Sequence, residues 1–139
     1  MKNFSKEYIE LCKSEKIQGL RPRFEFGDYL IYKDRTTLVS LFTSENSYDD
    51  NFDFADRMDR LRDDRLWLPT GDQLDQEIVK ICKEMDWAYR VDVDSNYCWN
   101  TQCEIYSYDE NEMVAETQES NPLIAKIKLL IQLLEVKGV

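Results

Sequence analysis

The chain has 139 residues, with 18 Lys and Arg against 28 Asp and Glu, no His, four Cys and 12% aromatic residues. That length suits one domain able to bury roughly two-thirds of its unfolded surface. An apolar share of 42% with four Gly and three Pro excludes a disordered, linker-like or collagen-like chain. The net charge of −10 disfavours a protein that binds nucleic acid by neutralising phosphates, and the missing imidazole removes every mechanism that needs a histidine base, acid or metal ligand.

In chain order, a helix is expected from about Ser5 to Lys16, because Phe4, Tyr8, Leu11 and Cys12 recur at helical spacing and Gly19 supplies a stop. Arg23 to Phe26 reads as a short extended piece. Tyr29 to Lys33 and Thr36 to Phe42 are rich in aromatic and β-branched residues and flank Asp34-Arg35, the pattern of a β-hairpin. Residues 43–65 change character. Seven Asp lie among four Arg between Tyr48 and Arg65, and the stretch reads as a polar insertion loop with at most one helical turn. Arg65 to Leu68 returns to extended character but is too short to count as a strand.

The clearest helix begins at Thr70. Thr70 and Gln73 form a capping box, and Leu74, Ile78, Ile81, Cys82 and Met85 make one apolar stripe over 70–86. Trp87, Tyr89, Val91 and Val93 then alternate with Ala88, Arg90, Asp92 and Asp94, as in a strand with one wet face. Asp94-Ser95-Asn96 reads as a turn, Tyr97 to Tyr108 as a long strand with Tyr97, Trp99, Cys103 and Ile105 on one side, and Met113 to Thr117 as a third, short strand. The last helix, 122–136, takes Asn121 as cap and Pro122 as its first residue, with Leu123, Ile124, Ile127, Leu130, Ile131 and Leu134 on its apolar face. The expectation is a single α+β domain over 1–139: an antiparallel sheet with helices packed on it, in the order α-βββ-α-βββ-α.

The opening residues Met1 to Glu7 are polar and carry no apolar run of the kind a secretion signal needs. The most apolar stretch, Leu123 to Val136, is too short to span a bilayer and holds Lys126, Lys128 and Glu135. Cys12 and Cys82 share helix faces with Leu and Ile, while Cys98 and Cys103 on one strand would point to opposite faces. Reduced structural thiols in a cytoplasmic protein are therefore expected, with no disulfide, metal site or cofactor.

Leu68-Pro69-Thr70 with Gln73-Leu74, then Trp87, Cys98-Trp99, Ala115-Glu116-Thr117 and the helix Leu123-Ile124-Ala125-x-Ile127-x-Leu129-Leu130 form a pattern over residues 66–136. It resembles the phage and prophage α-β-α ("ABA") sandwich domain, although Pro122 and two Lys stand where that family's last helix carries more Ala. The resemblance implies a fold and a phage-derived origin. It implies no activity and no catalytic residue.

Charge is the more informative feature. Between Arg90 and Lys126 there is no Lys or Arg, and these 35 residues hold eight acids: Asp92, Asp94, Glu104, Asp109, Glu110, Glu112, Glu116 and Glu119. They are either a solvated surface that aids solubility or a face that docks on a basic partner, with Tyr106 and Tyr108 as the aromatic contacts expected to be exposed. Three functions follow. The first is a non-enzymatic, phage-derived accessory module binding a protein that is unidentified and possibly basic, with no direct nucleic-acid or membrane contact. The second is an acidic DNA mimic that inhibits a nucleic-acid-binding enzyme. The third is a metal-dependent hydrolase using Asp49, Asp50, Asp53, Asp56, Asp59, Asp63 and Asp64, although the interspersed Arg residues favour local ion pairing over a metal there.

Overall fold

The computed structural model describes residues 4–35, 37–43, 54–94 and 100–138. The chain packs as two compact units, Met1–Pro69 and Thr70–Val139. Both combine helices with a three-stranded antiparallel sheet, so the expected α+β class holds, with two sheets in place of one.

In the first unit, Ser5 caps helix α1 (Lys6–Cys12) by accepting the Tyr8 N–H at 3.1 Å. The helix expected to run to Lys16 stops early, because Ser14 adopts an extended backbone and opens a separate short helix, α2 (Glu15–Gly19). That break turns Ile17 and Gln18 inward beside Tyr8, Ile9 and Cys12, all of them buried. Gln18 then stitches the unit together. Its amide donates to the carbonyls of Cys12 (2.7 Å) and Trp67 (2.8 Å), and its side-chain oxygen accepts from the Trp67 N–H at 2.9 Å. Tyr8 donates to the Pro69 carbonyl at 2.5 Å.

The sheet of this unit has the order β2-β1-β3, with β1 (Tyr29–Tyr32) central, β2 (Ser40–Leu41) on one side and β3 (Arg65–Leu68) on the other. The β1–β2 hairpin matches the expectation, with a shorter second strand. The third strand does not: Arg23 to Phe26 forms no strand, and Arg65–Leu68 pairs with β1 through Leu30↔Trp67 and Ile31↔Leu66. Leu66, Trp67 and Leu68 are all buried, so successive side chains face interior on both sides of the sheet. Such a strand shows no alternation, and four residues of it are easily dismissed. Just before it lies the other correction. Within the stretch expected to be a loop, Phe54–Asp64 forms α3, a helix of 11 residues. Phe54, Met58 and Leu61 recur at helical spacing along it, but they are so outnumbered by charged residues that the stretch reads as a polar loop.

The second unit follows the sequence closely in its elements. Met85, expected on the apolar stripe, and Val91 and Val93, expected on the dry side of their strand, are nevertheless exposed, because they lie toward the ends of their helix and strand. Helix α4 (Gly71–Met85) opens on the Thr70/Gln73 capping box, with bonds of 3.2 and 2.9 Å, and closes on Asp86 in a left-handed conformation. Strands β4 (Trp87–Asp94), β5 (Asn100–Ser107) and β6 (Glu112–Glu119) form a sheet in that order, the last longer than expected. The predicted turn at Asp94-Ser95-Asn96 and the start of the second strand, including Tyr97, Cys98 and Trp99, lie outside the described residues. Helix α5 (Pro122–Lys137) is capped by the Asn121 side chain, which accepts from the Leu123 N–H at 2.9 Å. It buries Ala125, Leu129 and Leu133 along with Ile124, Ile127, Leu130 and Leu134, whereas Leu123 and Ile131 are only half-buried. A broad apolar surface is forced by contact with two neighbours, since α5 packs on β5 and β6 and also on α4. Within this unit both helices lie on one face.

Candidate docking face on the second sheet

Alternation along β5 divides the second sheet into a dry and a wet face. Thr101, Cys103, Ile105 and Ser107 are buried toward the helices, so Gln102, Glu104 and Tyr106 point the other way. Register extends this row across the sheet. Arg90 sits opposite Glu104, and Glu104 opposite Glu116; one step along, Asp92 faces Gln102, which faces Gln118. Three of the candidate acids, Asp92, Glu104 and Glu116, therefore share the face turned away from α4 and α5 with a single described cation, Arg90, which pairs with Asp92 at 2.9 Å. Neighbouring strands lie about 4.8 Å apart, so the directly opposed Glu104 and Glu116 repel, at a cost of a few tenths of a kcal/mol. An exposed sheet gains nothing from that pairing in stability.

Three more acids crowd the β5–β6 turn. Asp109, Glu110 and Glu112 are exposed, Asn111 adopts a positive φ of 53°, and the Glu110 N–H donates to the Ser107 hydroxyl at 3.3 Å. The carboxyl groups of Glu110 and Glu112 meet, and their shared hydrogen bond and mutual repulsion, with a smaller push from Asp109, raise the pKa of Glu110. Both tyrosines belong here. Tyr106, on the wet face, donates to the Asn111 side chain at 2.5 Å, and its ring meets Tyr108 edge-on at 5.2 Å. Tyr108 is 73% exposed, while Tyr106 is half-buried.

Two candidates fall away from this group. Glu119 pairs in register with the inward-facing Thr101 and forms an ion pair with Lys128 of α5 at 2.5 Å, on the helix side. Asp94 ends β4 opposite Asn100, and its side chain lies outside the described residues. Alternation placed Arg90 on the wet side of its strand, but reasoning from sequence missed Gln102 and Gln118, whose membership of the face depends on strand register.

The helix-covered side holds a different polar cluster. Asp75 of α4 accepts from the Tyr89 hydroxyl at 2.9 Å and from Lys126 of α5 at 3.0 Å. Burial, then the Asp75 carboxylate, pushes the Tyr89 phenol well above its ordinary range. Each group is paired, and the cluster ties α4, β4 and α5 together. The described thiols offer no nucleophile: Cys12, Cys82 and Cys103 are free and buried, burial pushes Cys12 up to about 12, and it raises the other two as well. Among the described residues no three metal-ligating side chains come together. Of the Asp-rich run, Asp59, Asp63 and Asp64 are exposed on α3, and Asp49, Asp50, Asp53 and the Asp56 side chain lie outside the described residues. Among the described residues no helix is long and apolar enough to cross a membrane.

No family model matches the chain, and no significant match was found among curated proteins or solved structures.

Proposed function

We propose that the chain is a non-enzymatic accessory module, of the phage-derived kind the 66–136 resemblance implies, that docks a basic protein partner on the wet face of β4-β5-β6. The observation that carries this reading is the convergence of Asp92, Glu104 and Glu116 on the sheet face turned away from α4 and α5, flanked by the acidic β5–β6 turn and the exposed Tyr108. Charge supports it at the level of the unit. Residues 70–139 hold 6 Lys and Arg against 14 Asp and Glu, whereas residues 1–69 hold 12 against 14. Such a field speeds encounter with a positive partner and disfavours a negative one, nucleic acid included. The buried free thiols suit a reducing compartment such as the cytoplasm.

The test is capture of a partner on the immobilised chain at low salt, followed by the double variants Glu104→Gln/Glu116→Gln and Glu110→Gln/Glu112→Gln. A partner that is basic, elutes as salt rises through about 0.15 M and is lost with the first double variant supports the reading. A partner held equally by both variants would place docking elsewhere. Duplex DNA added as competitor separates an ordinary docking face from a DNA mimic, because only a mimic occupies the partner's nucleic-acid site.

A further inference from the structure

The first unit contains a cleft of about 600 Å³ lined by Lys13, Glu15, Gln18, Lys33, Arg62 and Asp63, with Gly19 and Leu66 completing it. Three cations in one concavity stand out in a chain that is acidic overall. Arg62 is fixed in the wall: its guanidinium donates to the Gln18 carbonyl at 2.6 Å and to the Gln18 side-chain oxygen at 3.4 Å, and it lies 5.4 Å from the Phe24 ring centroid. Gln18 is itself held by the backbone of Cys12 and Trp67, so the guanidinium rests on a buried, fully bonded support. Among the described residues its remaining N–H donors make no hydrogen bond, which leaves a planar fork suited to phosphate oxygens. Lys33 makes no ion pair among the described residues, and Lys13 is held only by the exposed Glu10, at 2.7 Å.

We propose that this cleft binds a small phosphorylated polyol, such as a sugar phosphate. Arg62, Lys33 and Lys13 take the phosphate, while Glu15 and Asp63 accept hydrogen bonds from the hydroxyls. The volume lies within the range of about 300–1,000 Å³ typical of small-molecule sites.

The test is titration of the ¹⁵N-labelled full chain with glucose 6-phosphate, glucose and inorganic phosphate in separate arms. Saturable shifts are expected at the amides of Lys13, Gly19, Lys33 and Asp63 with glucose 6-phosphate, weaker ones at the same amides with phosphate, and none with glucose. Lys33→Gln removes an exposed, unpaired charge without touching the core, and it should weaken glucose 6-phosphate binding about tenfold with the spectrum otherwise unchanged. Arg62→Lys, which keeps the charge and loses the fork, should weaken it at least as much. The proposal is overturned by the absence of saturable shifts up to about 10 mM ligand, well above an ordinary millimolar Kd. Affinity unchanged in Lys33→Gln overturns it too, and phosphate binding as tightly as the sugar phosphate overturns the role given to Glu15 and Asp63.

Discussion

Gln18 shows how much one polar side chain can hold. Buried in α2, it serves two carbonyls and one N–H that no secondary structure satisfies, and it braces Arg62 as well. Gln18→Leu keeps the volume but strands those groups, so a loss of about 3 kcal/mol is expected in urea unfolding. At the turn, Glu110 has a pKa above its ordinary value because Glu112 is so near. Its charged form is thus disfavoured in the fold: the repulsion is present above the raised pKa and is relieved as pH falls through it. Glu112→Gln should return Glu110 to the ordinary carboxylate range, as read by NMR titration of its side chain. Glu84 shifts in the opposite direction, because Lys137 holds it below that range. Its contribution is present above the ordinary carboxylate range and is lost as pH falls through the depressed value. Lys137→Gln should raise the Glu84 titration point.

At the scale of elements, the second unit is written locally. The Thr70 capping box, the stripe of Leu74, Ile78, Ile81 and Cys82, and the Asn121-Pro122 start are all short-range signals, and each element they announce is present. Thr70→Ala should cost about 1 kcal/mol by chemical denaturation, since one helix N–H loses its acceptor. Ile78→Asp should abolish cooperative folding of this unit, because Ile78 is fully buried and a carboxylate there has no partner. An unchanged melting curve would remove α4 from the core. The first unit was less legible. Ser14 interrupts what periodicity presents as one helix, β3 is too short and too apolar to alternate, and the narrow stripe of α3, Phe54, Met58 and Leu61, is outnumbered by charges. Each of these is set by neighbours distant in sequence: β3 exists because β1 pairs with it, and α2 is anchored by Trp67, 49 residues from Gln18.

Across the whole molecule the charge is unevenly shared, with a net −2 in residues 1–69 and −8 in 70–139. Self-repulsion of this kind destabilises the compact state and is screened by salt. Protection of β5 amides from hydrogen exchange should therefore rise as salt is raised from about 0.02 to 0.2 M, where the Debye length shortens from roughly 20 to 7 Å. No change would mean that the acids lie too far apart in the fold to act together.

Composition by itself determined that the chain is acidic, apolar enough to fold and without an imidazole, and periodicity determined the helices and strands of residues 70–138. Local pattern also located the acidic segment, because a run without Lys or Arg needs no third dimension to be seen. Only tertiary structure sorted those acids. Strand register put Asp92, Glu104 and Glu116 on one face and sent Glu119 to Lys128 on the other. It also drew Lys13, Lys33 and Arg62 around one cleft from three separate segments. Register and concavity arise from pairings between residues far apart in the chain, and no short window of sequence records them.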